Sequence, residues 1–246
     1  MTPLDLGLVR QFVADNIGEF HAARLAGIRS LDLRKVLRRK NPYLFRAKNI
    51  TNAPLLIDSI LEALLPASEE ERFGHFLEDL AIFVSRIAYG GQKSSTTGID
   101  LEFTRDDVRY VVAIKSGPNW GNSSQHKKLE DNFRTALRVL RQSPQVHHAR
   151  AVLGTCYGRC RVQYDGHYLK LCGQPFWEFI SGVPNLYLDI VEPIGHAAKE
   201  HNETFRAECD RVRNRLTREF MIEFCSPDGD IEWEKLLRFN SGADSA

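Results

Sequence analysis

Gly98-Ile99-Asp100-Leu101-Glu102-Phe103 and, after a short hydrophilic bridge, Tyr110-Val111-Val112-Ala113-Ile114-Lys115-Ser116-Gly117-Pro118-Asn119 form the stretch on which the fold turns. Ile99, Leu101 and Phe103 alternate with Asp100 and Glu102, the two-residue period of a strand. The apolar run before Lys115 is a second strand, and the glycine-proline pair ends it. One strand therefore carries a carboxylate near its start, and its neighbour ends in a lysine.

That pairing has chemical meaning. A carboxylate and an ammonium at the ends of adjacent strands are the smallest set for metal-assisted phosphodiester hydrolysis. The acid holds a divalent cation; the lysine orients the attacking water or steadies charge on the phosphate.

Outward from this stretch the period becomes helical. Val9, Phe12, Val13, Ile17 and Phe20 predict a helical region from about 4 to 40, stopped by Asn41-Pro42. A second helix is expected over Ile50–Leu65, ended by Pro66. A third is expected from about Glu70 to Ala88, with Phe73, Phe76, Leu77, Leu80 and Val84 on its apolar stripe and Gly90-Gly91 as its stop. After Lys115 a polar loop leads into a helix with Ser123 or Ser124 as N-cap and Leu129, Phe133, Ala136, Leu137 and Leu140 buried. Ala149–Cys156 reads as a strand, Phe176–Ile180 as a short buried helix, and about His196 to Phe224 as a long charged helix. The order is α/β: a mixed β-sheet flanked by helices, with a helical N-terminal region. No linker compels a division. The expectation is one domain over 1–246, with a helical N-terminal part (1–66), a core (70–195) and a C-terminal helical part (196–246).

With 43% hydrophobic and 26% charged residues, the chain is composed like an ordinary globular protein rather than a disordered one. No apolar run approaches the roughly 18 residues a membrane helix needs, and no signal peptide is visible, so no membrane is expected and the expected compartment is the cytoplasm. The odd set Cys156, Cys160, Cys172, Cys209 and Cys225 argues for reduced thiols. Cys156, Cys160 and Cys172 with His167 invite a zinc reading, but their spacing fits no common structural pair. His147, His148, His196 and His201 have no evident partner and read as surface residues.

A net charge of +1 excludes a uniformly basic surface. The distribution says more: Arg34, Lys35, Arg38, Arg39, Lys40, Arg46 and Lys48 are opposed locally by Asp32 alone. Such a cluster suits an enzyme that binds a polyanion and releases it, and equally suits a solvated helix face. Beyond Lys115, glycines let backbone N–H groups approach phosphate. Asn119, Asn122, Ser124 and Gln125 offer neutral hydrogen bonds, and Lys127 and Lys128 add charge; an ordinary helix-capping loop would carry much the same residues. Arg159, in Tyr157-Gly158-Arg159, is a candidate for phosphate or guanine contact.

The Ile114–Ser123 run, Gly74-x3-Glu78 on the preceding helix and Phe176–Gly182 downstream together resemble the PD-(D/E)XK nuclease superfamily. Within it the resemblance is to type II restriction endonucleases of the PmeII-like group, and it covers about Arg34 to Pro193. It implies a restriction-endonuclease-like core in which Asp100 binds metal, Lys115 is catalytic and the Ile114 carbonyl is a further ligand. The superfamily usually places an acid two residues before the lysine; here that residue is Ala113. By the same resemblance the missing acid moves to Glu130 on the following helix, with Glu78 as supporting ligand. Glu130 also suits an ion pair with Arg134, Glu78 a helix-surface charge, and Glu102 a structural role.

The implied activity is Mg²⁺-dependent cleavage of double-stranded DNA at a specific sequence. A homodimer would match a palindromic site, and a cognate DNA methyltransferase is expected in the same system. The alternatives are a structure- or repair-directed nuclease on the same core, or a DNA-binding module whose site has lost catalysis.

Overall fold

The computed structural model describes residues 4–144 and 146–243, with the backbone alone at Asp165. Among these residues the chain runs α1 (Leu6–Arg29), α2 (Leu33–Leu37), α3 (Pro42–Ala47), α4 (Ala53–Tyr89), β1 (Gln92–Lys93), β2 (Leu101–Arg105), β3 (Val108–Lys115) and α5 (Ser123–Leu140). It continues with β4 (His148–Thr155), β5 (Gln163–Asp165), β6 (Tyr168–Cys172), α6 (Gln174–Ser181), α7 (Leu186–Asp189), α8 (Val191–Ile194), α9 (Ala198–Phe224) and α10 (Trp233–Ser241). The fold is α/β, as the alternation of periods predicts. Two compact units are present: Met1–Gly18 with Phe73–His196, and Glu19–Arg72 with Ala197–Ala246. Their boundaries fall inside α1, inside α4 and just ahead of α9.

The first unit holds a six-stranded mixed sheet in the order β1-β2-β3-β4-β6-β5. Leu101 opposes Val112 in the antiparallel β2–β3 pair, and Lys115 opposes Thr155 in the parallel β3–β4 pair. The parallel pair needs a crossover, and α5 supplies it. Leu129, Phe133 and Ala136 of α5 share a buried cluster with Val111, Ala113, Ala151 and Leu153 of the sheet. On the other face, Phe103 stacks on Tyr89 and Tyr110 and meets Phe179 of α6 edge-on. Gly154 is the seat for α6: a Cβ there would lie 2.1 Å from the Phe176 ring.

The second unit is helical. Leu33, Leu37, Phe45, Ile57 and Ile60 bury against Phe205, Val212, Leu216, Phe220 and Leu236. His201, expected at the surface, is half-buried and stacks on the buried His21, with ring centroids 4.1 Å apart.

Two expectations along the helices are corrected. Helices over Ile50–Leu65 and Glu70–Ala88 were to be separated by Pro66, yet α4 runs unbroken through it. Pro66 is exposed, so the carbonyl it leaves unpaired can turn to water. Apolar residues on either side, Leu56 to Leu61 and Phe76 to Val84, are buried and hold the helix together. The N-cap of α5 is Asn122, not Ser123 or Ser124. Its Oδ1 accepts from Gln125 N at 3.2 Å while Gln125 Oε1 accepts from Asn122 N at 2.8 Å, a reciprocal capping box that a serine one step later would not complete.

Candidate active site

Asp100 stands one residue ahead of β2. Its N–H donates to Val112 O at 2.9 Å, and its Oδ2 accepts from Ile114 N at 2.6 Å. The carboxylate is thus tied to β3 one residue from Lys115. Alternation along β3 puts Lys115 on the same face as Val111 and Ala113. Its Nζ lies 5.6 Å from the centre of the Trp120 ring, and its carbonyl accepts from Cys156 N at 2.9 Å.

Glu78 comes to this corner from α4. Gly74, one turn earlier, makes that approach possible: a Cβ there would already lie 3.3 Å from Ser116 Cβ, so a larger side chain would press on the loop after Lys115. The Glu78 carboxyl is pushed above the usual carboxylate range, first by burial and then by the negative charge of Asp100. Lys93 Nζ, 3.8 Å away, pulls in the opposite direction. A carboxylate whose charge is disfavoured, beside a second carboxylate, is a donor set suited to a divalent cation.

Glu130 is differently engaged. It lies 3.9 Å from Arg134 Nη2 at i+4, and Arg134 also reaches Asp131 and His167. Among the described residues no three His, Cys, Asp or Glu side chains form a metal-holding group. Glu102 is committed inside the sheet, paired with Arg109 at 2.8 Å and accepting from Ser94 Oγ. Ala113 is fully buried in the cluster that contains Leu129 and Phe133, so a carboxylate at that position would be desolvated.

The residues expected at DNA divide into two sets. Asn122, Ser124 and Gln125 spend their side chains on the start of α5, Ser124 Oγ donating to Asn122 Oδ1 at 2.6 Å. Asn119, Lys127 and Arg159 are exposed. Arg159 is carried by a loop that continues the β3–β4 pairing: Tyr157 N donates to Ser116 O at 3.1 Å, and the Tyr157 ring lies directly over Gly117. That loop is fastened by a disulfide between Cys160 and Cys172, which corrects the expectation of reduced thiols at these two positions. The β4–β6 pairing, with Thr155 opposite Cys172, brings the loop back until the two Cα atoms are 5.6 Å apart. Cys156 is buried, and desolvation pushes its thiol up to about 12.

Trp120 was not expected. It adjoins Lys115, packs against His126 at 4.3 Å, and its buried Nε1 has no hydrogen-bond acceptor. An aromatic in an otherwise polar loop was the available signal.

The description "Type II restriction endonuclease EcoO109I" belongs to a family model that matches residues 7–202, about four-fifths of the chain. The chain belongs to the EcoO109I family of type II restriction endonucleases. The match includes Glu78, Asp100, Lys115 and Arg159, and most of both units. No curated protein matches the chain significantly. Membership in the EcoO109I family makes the protein a nuclease acting on double-stranded DNA at specific sequences. Among the described residues no helix is long and apolar enough to cross a membrane.

Proposed function

We propose that this EcoO109I-family enzyme is a Mg²⁺-dependent site-specific deoxyribonuclease with a PD-(D/E)XK type of site, in which Asp100 and Glu78 would hold the cation and Lys115 is catalytic. The observation that carries this reading is the hydrogen bond that ties Asp100 to β3 one residue from Lys115, with Glu78 near enough to feel the charge of Asp100. The donor set fits: Mg²⁺ is held by one or two carboxylates together with water and substrate phosphate, and the Ile114 carbonyl is a further candidate ligand. When bound, Mg²⁺ supplies Lewis acidity, neutralising phosphate charge and acidifying water. The Lys115–Ser123 loop supports the PmeII-like grouping.

Lys115 orients the attacking water and accepts or relays its proton. Attack in line with the leaving oxygen breaks the P–O3′ bond, giving 5′-phosphate and 3′-hydroxyl ends. Asn119, Lys127 and Arg159 hold the backbone beside the cut, while Asn122, Ser124 and Gln125 keep the start of α5 in place. Cutting both strands of a palindrome calls for a homodimer, and host DNA in the same cytoplasm calls for a cognate methyltransferase. Glu130 is the rival ligand, and its ion pair with Arg134 is the reason to prefer Glu78. Single Glu78→Gln and Glu130→Gln variants test the choice. Mg²⁺-dependent cleavage should collapse in the first and persist in the second; the reverse would move the missing acid to α5.

A further inference from the structure

We propose that the segment Arg34–Lys48 of the helical unit is a second DNA-contacting surface, one that grips the sugar-phosphate backbone without reading sequence. This rests on the nuclease reading above. Lys35, Arg38, Arg39, Arg46 and Lys48 are exposed, Lys40 is half-buried, and the segment contains no acidic residue. Asp32, just outside it, has its Oδ1 occupied by Lys35 N at 2.8 Å. Arg34 pairs with Glu223 at 3.3 Å; among the described residues no carboxylate is in ion-pair range of Lys35, Arg38, Arg39, Lys40 or Lys48. Lys35, Arg39 and Lys40 line, together with Asp32 and the apolar Leu31, Val36 and Leu64, a hollow of about 240 Å³, so three cations face one carboxylate there.

The cations are displayed on a fixed support, which separates them from a merely solvated face. Leu33, Leu37, Phe45 and Ile50 bury beneath them. Asn240 Nδ2 donates to Leu37 O at 2.7 Å and to Lys40 O at 3.0 Å, pinning the turn between α2 and α3. Arg34 and Arg38 lie over the Phe239 ring and Arg46 over Trp233. Unneutralised like charges held together repel, and a polyanion relieves that repulsion while releasing its counterions. Lys35, Lys40 and Lys48 are point charges suited to phosphate oxygens, and Arg34, Arg38 and Arg46 are held over the protein's own aromatic rings, where their forks can take phosphate from the solvent side.

The test is the salt dependence of binding to a random-sequence duplex in EDTA, for the wild type and for Lys35→Gln/Arg39→Gln/Lys48→Gln. Each lost phosphate contact lowers the slope of log K against log[salt] by about 0.9, so the triple variant should lose about 2 to 3 and bind at least tenfold more weakly near 0.1 M salt. A control of equal charge change, Arg211→Gln/Lys235→Gln/Arg238→Gln, removes cations already paired with Glu208, Glu232 and Glu234 and should keep the wild-type slope. An equal loss in the control would reduce the effect to net charge and overturn the proposal. An unchanged slope in the patch variant, with wild-type cleavage intact, would overturn it while sparing the nuclease reading; so would a change in sedimenting mass without a change in slope. A wild type that neither binds nor cuts DNA would overturn both.

Discussion

Asp100 Oδ2 accepts the Ile114 N–H at 2.6 Å, so the carboxylate that begins β2 is fastened to the strand that ends in Lys115. One of its oxygens serves the fold, and the proposed metal contact falls to the other. Asp100→Asn keeps an acceptor for Ile114 and removes the charge. The variant should melt within about two degrees of the wild type and lose cleavage by at least about a hundredfold. A large drop in Tm would mean that the charge holds the strands.

Glu78 bears a charge that burial and Asp100 both disfavour. Removing it should help the fold where it hurts the enzyme. Because the folded-state pKa is raised, the unfolded chain ionises more readily, and the penalty is present at neutral pH and disappears as pH falls below the ordinary carboxylate value. Glu78→Gln should therefore raise the unfolding midpoint at pH 7 and have little effect near pH 4. Mg²⁺ should raise the wild-type Tm by linkage and lose that effect in the variant.

His21 has the opposite linkage. Burial first, then His201, then Arg24 lower its pKa from 6.5 to about 4, and Arg24 Nη1 lies 3.5 Å from its Nδ1. Between pH 6.5 and about 4 the unfolded chain takes a proton that the fold refuses, so stability should fall across that window. Urea midpoints at several pH values should show a shallower decline in His21→Phe than in the wild type; equal declines would remove His21 from the account.

The Cys160–Cys172 disulfide closes a short loop, with a sequence separation of 12. Chain entropy puts its contribution near 3 kcal/mol. Denaturant curves with and without dithiothreitol should differ by about that amount, and the Cys160→Ser/Cys172→Ser variant should show no difference.

Gly154→Ala would drive a methyl group into the buried Phe176 ring. Overpacking of this kind costs about 1–3 kcal/mol, and Phe176→Leu in the same chain should recover part of it. A neutral Gly154→Ala would mean that α6 shifts freely on the sheet.

What could be read from the sequence followed the range of the interactions. Alternation around Asp100 and the apolar run before Lys115 are local signals, so β2, β3 and the α5 crossover were legible. β1, β5 and β6 are two to five residues long and exist through pairing with distant neighbours, which no local period records. Pro66 misled because its local preference is outweighed by burial on both sides of it. The site divided in the same way. Asp100 and Lys115 are candidates from local signals alone, one just ahead of β2 and one at the end of β3, whereas the choice between Glu78 and Glu130 depends on which helix reaches the corner. Gly74 favours the proposal for Glu78, and a glycine in a helix has meaning only once its neighbour Ser116 is known. The Cys160–Cys172 pairing likewise depends on β6 lying beside β4.

The most direct test of the central claim is incubation of unmethylated phage DNA with the purified protein, with Mg²⁺ or EDTA, alongside Lys115→Ala. Discrete Mg²⁺-dependent fragments that vanish in the variant are expected, and sequencing their ends would give the recognition site. A smear, fragments that survive Lys115→Ala, or DNA that is retarded but intact would contradict a site-specific nuclease built on Asp100, Glu78 and Lys115.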